Sequence, residues 1–237
     1  MKMNKVTLVI TAVSDFLTSR DGLKSGTLAR CVSSFNALNA SIIIAVPTGR
    51  EASVSEALEA YSPGIDVAVL GVPEDTKGAL ASAVSALAIA NLDEGELLIA
   101  AGDTEFLSPD PLVLMDRFSK DQVEMGTIVF RSEDPRFSYL NINSDGRVNY
   151  VLEKRVVGEF ATTGVFYFRG IKNFLDAAEW CFVNNASFQG NFYVSAALNY
   201  SLYLGGHVTW YEIAKSQFQK ELDSGSSPIE KEERMHD

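Results

Sequence analysis

The sequence has 237 residues, of which 46% are hydrophobic and 22% charged, and its formal net charge at pH 7 is −11. This composition is ordinary for a globular protein with a large core. The acidic balance disfavours nucleic-acid binding, because an acidic surface repels phosphate backbones. It does not exclude small anionic ligands, which a few local Lys or Arg residues and a divalent cation can hold.

The cysteines and the hydropathy pattern indicate the compartment in which the protein acts. Cys31 and Cys181 are far apart and show no zinc-type spacing, which is typical of free thiols in a reducing compartment. The apolar run near the N-terminus has no small-residue cleavage site after it, and no stretch reaches membrane-spanning length. We therefore expect a cytoplasmic protein without membrane partners.

Apolar runs alternate with helical patterns in the first half of the chain. The predicted strands cover 6–13, 41–47, 66–73 and 96–103, and the predicted helices cover 25–38, 50–62 and 76–91. Continuous apolar strands separated by helices predict a parallel sheet covered on both faces. In such sheets, ligands bind outside the carboxyl ends of the strands.

The second half is richer in strands. We predict strands over 126–132, 137–154 with a hairpin turn at Ser144-Asp145-Gly146, 162–170 and 207–213, and helices over 171–185 and 192–206. No interdomain linker separates the halves, so they are expected to share one sheet. The prediction is one domain over 1–220, followed by a charged tail over 221–237.

Asp103 is the most informative residue of the first half. It ends the apolar run LLIAAG, directly after Gly102 and at the carboxyl end of a predicted buried strand. An aspartate there can be a turn or helix-capping residue. It can equally be a ligand for a divalent cation, since carboxylates are the oxygen ligands that such ions prefer.

Later segments add motifs in a definite order. Glu153-Lys154 closes a strand, ATTGVFYF covers 161–168, and QGNFYVSAALNYSLYLGGHVTWYEI covers 189–213. Together with the strand that ends in Gly102-Asp103, this order resembles the sugar-phosphate nucleotidylyltransferases, specifically the bacterial capsule and surface-polysaccharide type. The resemblance covers roughly residues 76–213.

The resemblance implies a fold and a reaction. The fold is α/β, a Rossmann-like mixed sheet flanked by helices, also described as the GT-A-like nucleotidyltransferase fold. The reaction transfers a nucleoside monophosphate from a nucleoside triphosphate to a sugar phosphate, with Mg²⁺ as cofactor and pyrophosphate as leaving group. A homo-oligomer or a partner enzyme subunit is compatible with it.

The resemblance also assigns residues. Asp103 becomes a metal ligand, and Lys154 faces the sugar phosphate as a point charge. Asp223 becomes a second metal ligand if one residue is inserted in the closing motif, although a polar turn explains that stretch equally well. The expected substrate-binding residues are Thr76, Lys77, Gly78, Gly102, Glu153, Thr163, Gly164 and Asn191. A helix N-terminus after Thr76-Lys77-Gly78 suits an anion in any family, but Thr76 can also be a simple cap.

The stretch after the first strand departs from the family pattern. Residues 11–30, TAVSDFLTSRDGLKSGTLAR, contain no Gly-x-Gly and no Pro-Lys, and Asp15 lies where phosphates are expected. Arg20 and Lys24 are the candidate replacements for the missing cationic pair. Asn191 stands where the family usually has Glu. Each charge-assisted hydrogen bond lost from a triphosphate costs about 1.5–3 kcal/mol, which puts activity in doubt.

Two alternatives therefore stay open. The first is a catalytically impaired relative that binds a ligand or a partner and acts as a regulatory or scaffolding subunit. The second is a glycosyltransferase that uses a nucleotide-sugar donor, in which Asp103 and Glu105 form an imperfect version of the Asp-x-Asp metal motif.

Overall fold

The computed structural model describes residues 6–220. Within that range the chain forms eleven strands and eight α-helices, together with a short 3₁₀ helix at Lys215–Gln217. In chain order they are β1 (Val6–Thr11), α1 (Asp15–Thr18), α2 (Arg20–Ser25), α3 (Thr27–Ser34), β2 (Ala40–Pro47), α4 (Glu51–Tyr61), β3 (Val67–Val72), α5 (Ala79–Ile89), β4 (Leu97–Ala101), β5 (Thr104–Phe106), α6 (Asp110–Lys120), β6 (Met125–Arg131), β7 (Tyr139–Ile142), β8 (Val148–Leu152), β9 (Phe160–Phe168), α7 (Ile171–Val183), α8 (Val194–Tyr203), β10 (Val208–Glu212) and β11 (Phe218–Lys220).

One nine-stranded mixed sheet organises the domain, in the order β10-β6-β9-β4-β1-β2-β3, with the β7–β8 hairpin attached through β9. Strands β4, β1, β2 and β3 are mutually parallel, as the first half predicts. Strand β9 runs antiparallel between β4 and β6, and so joins the two halves in a single sheet. The predicted α/β mixed sheet in one domain is confirmed.

Both faces of the sheet are buried around β1, β2 and β4, which explains why these strands are continuously apolar. Leu8 and Ile10 point into the core shared with α3, α4 and α6. Val9, between them, points into the opposite core with α5, α7 and α8. Side chains alternate along a strand, so only an uninterrupted apolar run can serve two cores. None of the helices within residues 6–220 combines the length and apolarity that crossing a bilayer requires.

A small second sheet was not predicted. Strand β11 pairs antiparallel with β5, so that Phe218 lies opposite Phe106 and Lys220 opposite Thr104. Phe218 packs against Phe106 and Phe130, with ring centroids 6.3 and 4.8 Å apart. This pairing returns the chain to the carboxyl end of β4.

Helix α6 was also not predicted, and the predicted helix over 25–38 is shorter in the structure. Helix α3 begins at Thr27 because Gly26, in the left-handed conformation, separates it from α2. Two short helices, α1 and α2, fill the connection from β1 to α3.

Candidate functional site

A cleft of about 350 Å³ lies at the carboxyl ends of β1 and β4. In the described part of the chain, its charged lining residues are three cations and two carboxylates: Arg136, Lys154, Lys220, Asp103 and Glu153. The chain as a whole has a net charge of −11. An excess of cations in this one cleft therefore favours an anionic ligand there.

Asp103 lies in the turn between β4 and β5, with its side chain 22% exposed. The amide of Gly102 donates to the carbonyl of Thr11 at 3.0 Å, which ties the turn to the end of β1. Oδ1 of Asp103 is buried and accepts no hydrogen bond from the described residues. Lys220 Nζ lies 2.9 Å from this oxygen. The contact is a partly buried ion pair.

Lys154 lines the same cleft from the turn after β8. Its ammonium donates to the Tyr193 hydroxyl at 3.3 Å and lies 5.2 Å from the Tyr193 ring centroid and 5.9 Å from that of Phe188. Its backbone φ is +52°, in the left-handed region. That conformation is unfavourable for a residue with a Cβ. The structure thus brings Asp103 and Lys154 together.

Glu153 connects three elements around the cleft. Its Oε2 accepts hydrogen bonds from the hydroxyls of Ser138 and Ser195, the latter at 2.7 Å. Ser195 is in the first turn of α8, and Ser138 directly precedes β7. The carboxylate is therefore held in place, and it can accept hydrogen bonds from the hydroxyl groups of a ligand.

A smaller pocket of about 160 Å³ shares Val13 with the cleft and is lined in part by Thr76, Gly78 and Asn191. These three predicted residues are brought together. Lys77 is exposed and does not contribute to this lining within residues 6–220.

The backbone amides at the N-terminus of helix α5 are not all free to bind an anion. The amide of Leu80 donates to the carbonyl of Phe192 at 3.1 Å, and the amide of Phe192 donates to the carbonyl of Lys77 at 2.9 Å. Gly78, at φ +87°, permits this approach, since a Cβ there would be 2.4 Å from the Phe192 oxygen. One amide of the helix N-terminus is thus bound to the protein's own backbone.

The segment after β1 is folded into two capped helical turns. Ser14 Oγ accepts from the amide of Leu17 at 3.3 Å, and Ser19 Oγ accepts from the amide of Gly22 at 3.1 Å. Gly22 packs so closely on α1 that a Cβ would lie 1.7 Å from the Phe16 oxygen. These amides serve the segment's own structure and are not available to a triphosphate.

Arg20 and Lys24 are both exposed on α2, and neither is among the described residues that line the cleft. The positions of Arg20 and Lys24 therefore do not support the prediction that they replace the missing cationic pair. Among residues 6–220, the cation paired with Asp103 is Lys220, for which no sequence motif provides a signal.

The two threonines of β9 face opposite ways. Thr163 is fully buried, and its hydroxyl donates to the carbonyl of Ile128 at 3.2 Å. Thr162 lines the cleft instead. Gly164, at φ +88°, also lines the cleft, and a Cβ there would lie 3.0 Å from Lys220 Nζ. Gly164 therefore lies in the cleft, and its contact with a sugar stays a prediction, whereas the side chain of Thr163 bonds to β6.

Several lining residues were missed by sequence reasoning: Arg136, Ser138, Tyr193, Ser195 and Lys220. Arg136 forms an ion pair with Asp134 at 2.7 Å, and that guanidinium lowers the pKa of the Asp134 carboxyl. Tyr193 belongs to the FYV motif and could have been selected with it. Asp223 lies outside the described residues, so its predicted role stays a prediction.

Glu105 is engaged elsewhere. It forms an ion pair with Arg30 at 3.0 Å and does not line the cleft within the described range. A metal site that uses both Asp103 and Glu105 thus has only one of its carboxylates in the cleft.

Asp103 is the candidate ligand for a divalent cation. Its Oδ1 is a buried carboxylate oxygen that contacts the Lys220 ammonium, and carboxylate oxygens are ligands that hard cations prefer. Residues 6–220 contain no cluster of three or more acidic, His or Cys residues able to enclose an ion. Mg²⁺ usually takes one or two carboxylates and completes its shell with phosphate oxygens and water. Asp103 fits that mode of binding.

Comparison with known proteins places the fold. Neither a protein-family model nor a curated protein sequence matches the chain. The structure is similar to the nucleoside-diphosphate-sugar pyrophosphorylase from Vibrio cholerae RC9, with a TM-score of 0.65 and 17% identity over 92% of this chain and 95% of that one. It is also similar to the inositol-1-phosphate CTP transferase from T. maritima, with a TM-score of 0.66 and 14% identity over 98% and 96% of the two chains. The chain therefore has the nucleotidyltransferase fold over nearly the whole length of these structures.

Proposed function

We propose that the protein is a nucleotidylyltransferase that joins a nucleoside monophosphate to a sugar phosphate or a similar phosphorylated alcohol. The observation that carries this proposal is the placement of Asp103 and Lys154 in one cleft at the carboxyl ends of the strands. The similar structures support the same kind of reaction, since one is named as a pyrophosphorylase and the other as a CTP transferase.

The chemistry is an in-line displacement. A phosphate oxygen of the acceptor attacks the α-phosphorus of the triphosphate, forming a new P–O bond. The bond from the α-phosphorus to the α–β bridging oxygen breaks, and pyrophosphate leaves with that electron pair. Such transfers depend on positioning and on neutralising charge more than on proton transfer.

The cleft residues can meet those needs. Lys154 would pair with the acceptor phosphate, and its left-handed backbone would hold the ammonium in position. Glu153 would accept hydrogen bonds from acceptor hydroxyls, because Ser138 and Ser195 fix its carboxylate. The pocket beside Thr76, Gly78 and Asn191 would take the base.

Asp103 would hold the divalent cation. When bound, Mg²⁺ would neutralise phosphate charge and orient the oxygens. We further propose a cytoplasmic enzyme that supplies precursors for surface polysaccharides, acting as a homo-oligomer or with a partner subunit.

A second candidate is a catalytically impaired relative that binds a phosphorylated ligand without turnover. The observation that favours it is the segment after β1, where capped turns use the amides of Leu17 and Gly22. The glycosyltransferase alternative is weaker, because Glu105 is paired with Arg30 outside the cleft.

Ligand-dependent thermal stability separates these candidates. The purified protein is heated with each nucleoside triphosphate, with and without Mg²⁺, and with a panel of sugar phosphates. A ligand at a hundred times its dissociation constant adds about 2.7 kcal/mol of stability. A triphosphate that stabilises only with Mg²⁺, and releases pyrophosphate with an acceptor, supports the transferase.

Two variants test the residues. Asp103→Asn should abolish the Mg²⁺-dependent shift, and Lys154→Met should weaken the shift caused by sugar phosphates. Glu56→Gln, at an exposed position of α4, is the control and should change neither. Stabilisation by sugar phosphates alone, without any triphosphate effect, would instead establish the impaired relative.

A further inference from the structure

The surrounding structure fixes the position of Lys220 in the cleft. It ends β11, and the pairing of β11 with β5 places it opposite Thr104, the residue after Asp103. Phe218, buried among aromatic rings two residues earlier, anchors the strand. The side chain of Lys220 is only 14% exposed. Strand register and aromatic packing thus fix where this ammonium lies.

Its surroundings accommodate a cation. Nζ lies 2.9 Å from Oδ1 of Asp103. Gly164 lines the other side, where a Cβ would come within 3.0 Å of Nζ. A lysine removed from water is costly unless its charge is paired. Asp103 supplies that pairing, so the ion pair is the stable state of the two residues in the absence of another cation.

The same oxygen is the donor best suited to a divalent cation. The ammonium lies 2.9 Å from this oxygen, and its positive charge repels a divalent cation that approaches the same carboxylate. We propose that Lys220 competes with divalent cations for Asp103, so that this ion pair sets the metal affinity of the cleft. This inference rests on the proposed role of Asp103 as the metal ligand.

The test uses Mn²⁺ alone as the probe, with free ion measured by electron paramagnetic resonance. Lys220→Met keeps the length and apolar stem of the side chain but removes the charge. We expect it to bind Mn²⁺ at least about tenfold more tightly than the wild type, which corresponds to about 1.4 kcal/mol. Lys220→Arg retains a cation and should stay close to the wild type. Asp103→Asn and the double variant Asp103→Asn/Lys220→Met should lose this binding.

A second measurement needs no variant. In the wild type, Mn²⁺ should increase the acetylation of the Lys220 amine by acetic anhydride, followed by mass spectrometry, because the displaced ammonium leaves its paired position. Lys172, exposed on α7 and paired with Asp176, provides the internal control and should not change. Labelling of Lys220 that is unaffected by saturating Mn²⁺ would overturn the competition.

Equal or weaker Mn²⁺ binding by Lys220→Met would also overturn the proposal, as would the absence of binding in both proteins. These failures are distinct from failure of the proposed function. The transferase assignment fails when no triphosphate and acceptor release pyrophosphate, even if Lys220→Met binds Mn²⁺ tightly through Asp103. The competition fails alone when pyrophosphate is released and depends on Asp103, but Lys220→Met leaves the Mn²⁺ affinity unchanged.

Discussion

Glycine at position 154 is expected to give a more stable protein than alanine at the same position. Lys154 has φ +52°, and the left-handed conformation costs an L-residue about 1–2 kcal/mol. Glycine avoids this cost but loses more backbone entropy on folding, by about 0.5–1 kcal/mol. The net expectation is that Lys154→Gly exceeds Lys154→Ala by about 0.5–1 kcal/mol in the free energy of unfolding. Contacts of the lysine with Tyr193 and Phe188 are lost in both variants and cancel.

Urea denaturation followed by far-UV circular dichroism measures this difference, provided that the two variants share the same dependence on denaturant. Glu56 is the matched control, because it is an exposed charged residue inside the regular helix α4. There the order should reverse, and Glu56→Gly should be about 1 kcal/mol less stable than Glu56→Ala.

The reasoning is refuted if Lys154→Ala equals or exceeds Lys154→Gly while the Glu56 pair behaves as expected. Binding of sugar phosphates should weaken equally in both position-154 variants, since both lack the ammonium. Undiminished binding in both would show that the Lys154 ammonium does not contact the ligand.

Three further outcomes are expected. Thr163→Val should lower the free energy of unfolding, measured in urea, by about 1 kcal/mol, because it removes a buried hydrogen bond to β6. Thr162→Val should leave the free energy of unfolding nearly unchanged and weaken ligand-induced thermal shifts. Exchanged effects of the two variants would contradict the observed strand faces. Gly78→Ala should lower the free energy of unfolding by at least about 2 kcal/mol more than Gly190→Ala does. The new Cβ meets a backbone oxygen at 2.4 Å at position 78 and nothing within 4 Å at position 190. Similar melting temperatures of the two variants would refute this. Burial raises the pKa of Cys181 from 9.0 to about 12, so above about pH 9 the unfolded thiol ionises while the folded one does not, and stability falls with pH. The free energy of unfolding of the wild type should fall by up to about 1.4 kcal/mol per pH unit through this thiol. In urea titrations at rising pH, the difference in free energy of unfolding between the wild type and Cys181→Ala should therefore narrow. A difference that does not change with pH would refute the linkage.

Strands β1, β2 and β4 were predictable because each is buried on two faces and therefore continuously apolar. Helix α6 carried a usable signal as well. Its buried residues Leu112, Met115 and Phe118 recur at helical spacing, although the segment received no prediction. Strands β5 and β11 offered no comparable signal, since three residues are too few to show a period.

The site residues also differ in whether local sequence indicates their role. Asp103 could be selected because a carboxylate at the end of a buried strand needs a reason, and the Glu153-Lys154 motif added the second charge of the cleft. The face of Thr163 could not be assigned from the sequence, because β9 is buried on both faces and its local pattern does not show which of two adjacent threonines faces the cleft.

By itself, the sequence determined the alternation of strands and helices, the buried sheet and the carboxylate at the end of β4, since these follow from local composition and periodicity. Only the tertiary structure decided which cation faces that carboxylate. Arg20 and Lys24 are close to the first strand in sequence but lie exposed on α2. Lys220 is distant in sequence and reaches Asp103 because β11 pairs with β5, a long-range contact that local pattern does not encode.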